Sequence, residues 1–180
     1  MLNIKYIFCI LTFCYIATGC RFHLKQPPVL APPLQQLYIK TPDPYGQLTR
    51  YLRDYLKMSH VTLVSTEQEA KTVLEILHED VGQQLLSVSG TQQTRQYTLT
   101  YSVIFQVTNP QGLILSPSQT VTKNATLTVQ SNQILASGNQ TSLLYESMRK
   151  AVASDIINRL AGKEITTVVN KAAISTPITQ

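Results

Sequence analysis

Tyr97-Thr98-Leu99-Thr100-Tyr101-Ser102-Val103-Ile104-Phe105-Gln106-Val107-Thr108 is a β-strand by pattern alone. Tyr97, Leu99, Tyr101, Val103, Phe105 and Val107 fall on one side. Thr98, Thr100, Ser102, Ile104, Gln106 and Thr108 fall on the other. Successive side chains of a strand point to opposite faces, whereas a helix of this sequence has no apolar stripe. One face is therefore expected in a core, and the other is mostly hydroxyl.

On the C-terminal side, Asn109-Pro110-Gln111-Gly112 is a turn, since Pro fixes φ and Gly supplies a positive φ. Leu113 to Val129 holds a second long strand region, which Pro117 either interrupts or marks as a sheet edge. Asn132 to Asn139 is a connector. A helix is expected over about residues 141–161, with Leu144, Met148, Ala151, Val152, Ile156 and Leu160 as its stripe and Gly162 as its C-cap. Beyond Glu164 no period persists, so residues 164–180 are expected to form a flexible tail.

On the N-terminal side, Gly90 to Arg95 is a polar hairpin or loop. Thr72 to Leu77 fits either helix or strand; its β-branched residues and a following polar turn favour strand. Thr66 and Glu69 have capping-box spacing. Val61 to Val64 and Leu37 to Lys40 are short strands. Between them Leu48, Tyr51, Leu52, Tyr55 and Leu56 recur at helical spacing, with Asp43 as the expected N-cap and Pro44 at the first helical position. Ser59-His60 ends that helix.

The first residues are of another kind. Lys5 is followed by an apolar run from Tyr6 to Ile16, within the roughly 7–15 residues of a secretory leader and too short to span a bilayer. Ala17-Thr18-Gly19-Cys20 resembles the bacterial lipobox, in which the cysteine takes a diacylglycerol and becomes the new N-terminus. Residues 1–19 are thus expected to be a signal peptide and Cys20 the lipidation site. Cys9 and Cys14 leave with the leader, so lipidation of Cys20 removes what would be a lone free thiol. Residues 20–36, with Pro27-Pro28 and Pro32-Pro33, are expected to be an extended tether, and 37–163 a single domain. Arg21 stands after the cysteine where Asp would retain the protein in the inner membrane.

Composition limits function. There are 15 basic side chains against 10 acidic ones, and one of the basic ones, Lys5, is in the leader. This mild cationic balance suits anionic head groups or phosphates and is too weak to indicate nucleic acid. His23, His60 and His78 have no metal-ligand spacing, and no catalytic constellation, phosphate loop or nucleotide fingerprint occurs. Glu79 and Asp80, as strand neighbours, point to opposite faces. No enzyme activity, cofactor or metal is expected. Arg95, at the foot of the long strand, and Lys123, in the next, are either phosphate-binding cations or solvated surface charges.

Several stretches together resemble one family. Cys20-Arg21-Phe22-His23-Leu24-Lys25 is similar to the Cys-Gly-[Trp/Phe]-His-Leu-Arg opening of LptE, the lipopolysaccharide-assembly lipoprotein of Gram-negative bacteria, with Arg21 in place of the usual Gly. Asp43-Pro44-Tyr45-Gly46-Gln47-Leu48-Thr49-Arg50 resembles the family's Asp-Pro-x-Gly-x-Leu-[Ser/Thr]-Arg helix start. The strand from Tyr97, Gln133 to Ser137 and the helix through Arg159-Leu160 match in order and spacing. The resemblance implies an α+β fold, two helices packed on a mixed, mainly antiparallel sheet of about four strands. It implies a non-catalytic, lipid-anchored plug of the outer-membrane β-barrel LptD that assists assembly of that barrel. It also implies lipopolysaccharide binding and delivery to the outer leaflet, with Arg95 and Lys123 as candidate contacts. The family's usual cation before the last helix is missing at Ser137-Gly138-Asn139. A second reading is a free-standing envelope lipoprotein that binds a saccharide or lipid without a barrel.

Overall fold

A computed structural model describes residues 27–90, 94–130 and 134–175. The signal peptide, Cys20 and His23 lie outside the described residues. A 3-10 turn, Pro32–Gln35, leads into β1 (Gln36–Lys40), α1 (Gln47–Met58) and β2 (Thr62–Leu63). A second 3-10 turn, Glu67–Glu69, precedes β3 (Thr72–Val88), β4 (Thr94–Thr108) and β5 (Ile114–Gln130). The chain continues into α2 (Ile134–Leu160) and α3 (Lys163–Ser175). The sheet order is β2-β1-β3-β4-β5. β1 pairs in parallel with both β2 and β3, whereas β3, β4 and β5 are antiparallel. The α+β class and the mixed sheet agree with expectation, but the described residues form three helices and five strands rather than two and about four.

β4 is the axis of the core. Leu99, Tyr101, Val103, Phe105 and Val107 are all fully buried, as the alternation requires. They join Leu48, Leu52 and Leu56 of α1 and Val152, Ile156 and Leu160 of α2 in one hydrophobic cluster. Helices thus cover one side of the sheet, and burial of each large apolar side chain contributes roughly 1.5–3 kcal/mol. Tyr51 and Tyr55 form the half-buried margin of the α1 stripe.

The turn after β4 forms as its sequence demands. Gly112 adopts φ 82°, and the Asn109 side-chain oxygen accepts N–H bonds from Gln111 and Leu113 at 3.0 and 2.8 Å. Register shifts follow on β5 around Pro117, which lies on an edge strand where its missing N–H is tolerated. At the end of α1, His60 takes φ 60°. The N–H groups of His60 and Val61 reach back to the carbonyls of Lys57 and Leu56, both at 3.0 Å. This is a Schellman closure with His in the position glycine usually fills.

Several expectations need correction. β3 does not turn after Leu77 but continues to Val88, with a bulge between Ile76 and His78 absorbing one residue. α2 begins at Ile134 rather than near 141, so the 132–139 connector is mostly helix. Gly138, Asn139 and Gln140 are exposed there and carry no apolar stripe. The segment from 164 is no loose tail: α3 buries Ile165 and Val169 in the core, with Ala172 packed beside them. That stripe is narrow and set among threonines, which hides its period. The tether is shorter than 20–36, because Leu30, Ala31 and Leu34 are buried and the Thr72 hydroxyl donates to the Pro33 carbonyl at 3.0 Å. The N-cap of α1 is Gly46, not Asp43. Asp43 instead closes the preceding turn, accepting the Tyr45 N–H on its side chain and the Thr49 hydroxyl on its carbonyl. Thr66 makes no side-chain cap bond, so the capping box does not form.

Candidate functional site

The alternation that buries one face of β4 presents the other. Thr98, Thr100 and Ser102 lie opposite Thr126, Asn124 and Thr122 of β5. The β5 members are exposed and the β4 members half-buried. From Gln96 to Gln106 on β4 and from Thr120 to Gln130 on β5, this outer face carries no charged side chain. Hydroxyl and amide groups at strand spacing make a flat surface rich in donors and acceptors, with nothing on it to repel either sign of charge.

On the helix-side face, Lys123 and Glu79 are paired with charges of α2. Lys123 meets Asp155 Oδ2 of α2 at 2.7 Å, so it ties β5 to the helix. Arg95 is exposed at the hairpin end, opposite Val129 of β5 and Val88 of β3. Lys123 lies opposite Tyr101, six positions along β4 from Arg95, a separation of about 20 Å along the strand. The two cations therefore do not form one site.

A polar network inside the domain escaped the sequence reading. The Tyr101 hydroxyl donates to Glu79 Oε1 at 2.7 Å, and Arg149 Nε lies 3.6 Å from the same oxygen. The Arg149 guanidinium sits 5.5 Å from the centre of the Tyr101 ring and donates to Gln47 of α1 at 3.1 Å. Burial, helped by the bond to Glu79, pushes the Tyr101 phenol far above its ordinary range. Beside it, Tyr51 donates to Glu146 at 3.1 Å and Lys150 meets Glu146 at 2.7 Å. Its bonds from Lys150 and then Tyr51 hold Glu146 below the usual carboxylate range. The bond to Glu146 in turn raises Lys150. The hint in the sequence was a tyrosine within an apolar row, but its partner lies on the neighbouring strand, 22 residues earlier in the chain.

These groups pin α1, α2, β3 and β4 together and leave no base aimed at a nucleophile. Among the described residues no group of three or more His, Cys, Asp or Glu is placed to hold a metal ion. A groove of about 530 Å³ lies between Pro32-Pro33, the Asn109–Gln111 turn and α3, and Lys71 is its one ionisable lining residue.

Residues 34–160 match the family model LptE, described as lipopolysaccharide-assembly. This chain belongs to the LptE family. It is 30% identical over 148 residues to the LPS-assembly lipoprotein LptE of Yersinia enterocolitica, covering 81% of this chain and 70% of that protein. The LptE of Photorhabdus laumondii is 25% identical over 145 residues, covering 81% and 79% of the two chains. Among solved structures, the rare lipoprotein B of Shewanella oneidensis is similar at 26% identity and TM-score 0.64, over 76% of this chain and 98% of that one. A lipoprotein B from Nitrosomonas europaea shares the fold, with TM-score 0.64 at 18% identity over 80% and 91% of the two chains. LptE is a non-enzymatic lipoprotein family involved in lipopolysaccharide assembly, in line with the lack of catalytic motifs in the sequence.

Proposed function

We propose that this LptE-family chain is anchored to the outer membrane through a lipidated Cys20, on its periplasmic side. There it occupies the lumen of the LptD β-barrel, assists assembly of that barrel and takes part in lipopolysaccharide delivery to the outer leaflet. The observation that carries the reading is the uncharged hydroxyl and amide face of β4 and β5. A barrel lumen is polar, and an enclosed domain exchanges hydrogen bonds with it rather than apolar contacts. The acyl chains contribute about 0.8 kcal/mol per buried methylene, and tethering raises the effective concentration of the domain at the barrel. Of the two candidate cations, exposed Arg95 is the one poised to meet a lipopolysaccharide phosphate; Lys123 must first leave Asp155.

Mild-detergent extraction of the native envelope, followed by pull-down of this chain, is the test. A stoichiometric barrel of several hundred residues is expected, and Cys20→Ala should lower its yield without abolishing docking. A solitary chain with an unmodified N-terminal thiol would contradict the proposal and favour the free-standing lipoprotein.

A further inference from the structure

β3 has two neighbours for only part of its length. β1 pairs with it from Thr72 to Glu75, and β4 from Val73 to Val88. Beyond Glu75 the side once held by β1 has no strand among the described residues. There the Tyr145 hydroxyl of α2 engages the Gly82 carbonyl at 2.8 Å.

Native edges are usually defended by charge, proline or distortion. The sheet's other long edge, β5, has such defences in Pro117, its register shifts and Lys123. On β3 the bulges fall near Leu77 and Leu86, leaving His78 to Leu85 in regular register with β4. Val81-Gly82-Gln83-Gln84-Leu85-Leu86-Ser87-Val88 holds neither a charge nor a proline. Val81 and Leu85 lie opposite Tyr101 and Tyr97 on the helix side, yet are 48% and 50% exposed.

We infer that the edge of β3 from Val81 to Leu85, just beyond the carboxylates of Glu79 and Asp80, accepts an extended segment of the enclosing polypeptide as a sixth strand. Main-chain groups other than the Gly82 carbonyl, which already accepts from Tyr145, supply the pairing. Val81 and Leu85 select apolar side chains at alternate positions on the helix side of that segment. The strands of a closed barrel wall already use both of their edges. The added strand must therefore come from a loop or a terminal segment of the partner. This inference rests on the proposed enclosure by LptD.

The test uses the full chain co-purified with its barrel, with photoreactive residues placed in turn at Gln83 and Leu85. Strand addition predicts cross-links to partner positions two residues apart, within one segment outside the barrel wall. Amide exchange across residues 77–88 should also slow by about tenfold or more relative to the isolated chain. The pair Val81→Lys and Leu85→Lys, both at half-exposed sites, should abolish that protection. Cross-links to the wall, scattered cross-links, cross-links to a second copy of this chain, or unchanged exchange in an intact complex overturn the inference alone. Failure of the complex to form overturns it together with the enclosure.

Discussion

The two ends of β3 are one continuous strand with opposite roles. Val73, Leu74 and Ile76 are buried between β1, β4 and the core, whereas from Leu77 to Val88 every residue but Gly82 is exposed. The first end has strands on both sides; among the described residues the second has β4 as its one strand neighbour, with Tyr145 and Arg149 of α2 reaching it at Gly82 and Glu79. The lesson is that the sheet extends beyond what its helices cover. The covered end maintains the fold; the uncovered end offers surface.

The largest expected effect lies at the covered end. Phe105→Ala, opposite Ile76, should lower unfolding free energy by about 3–5 kcal/mol in urea titrations, as buried aromatic truncations do. Val81→Ala should change it by only about 0.5 kcal/mol. Equal losses would erase the distinction between the two ends.

α3 sharpens the comparison, because its place in the core was concealed in the sequence. Ile165→Ala should cost about 2–5 kcal/mol by the same assay. A loss near zero would show that this helix does not hold the fold.

pH sets a third expectation. The pKa of the Tyr101 phenol is raised above the ordinary tyrosine value of 10.0 in the folded chain, with Tyr51 and Tyr145 shifted the same way. Burial is the leading cause for each of the three. Above about pH 10 the unfolded chain gives up protons that the folded chain keeps, so stability falls as pH rises. Tyr101→Phe should flatten that alkaline decline in pH-dependent thermal melts. On the acid side the lowered Glu146 contributes above its unfolded value of 4.5, and that contribution is lost as pH falls through the folded pKa.

The smallest effects belong to His60 and Lys123. His60→Gly relieves a left-handed backbone and should raise stability by up to about 1 kcal/mol. Lys123→Met removes a half-exposed ion pair and should cost less than about 1 kcal/mol.

The legibility of the sequence follows the same division. β4 could be read residue by residue because its two faces meet environments of opposite polarity over its whole length. The stripe of α1 was equally plain, since Leu48, Leu52 and Leu56 all reach the core. The far half of β3 could not be read. Bulges break its alternation twice, and Leu85-Leu86 falls on both faces. In α2, Gly138, Asn139 and Gln140 are exposed and polar or bare, and so leave no apolar pattern. The polar face of β4 was legible from local chemistry. The engagement of Lys123 by Asp155 was not, because that bond joins positions far apart in the chain.

The account depends on the outer face being enclosed. Thr126→Cys places a thiol at its exposed β5 row, and thiol-reactive labelling of intact outer membranes measures its access. Strong protection in cells with LptD, and rapid labelling of the purified chain, are predicted. Equal labelling in both would contradict enclosure of this face.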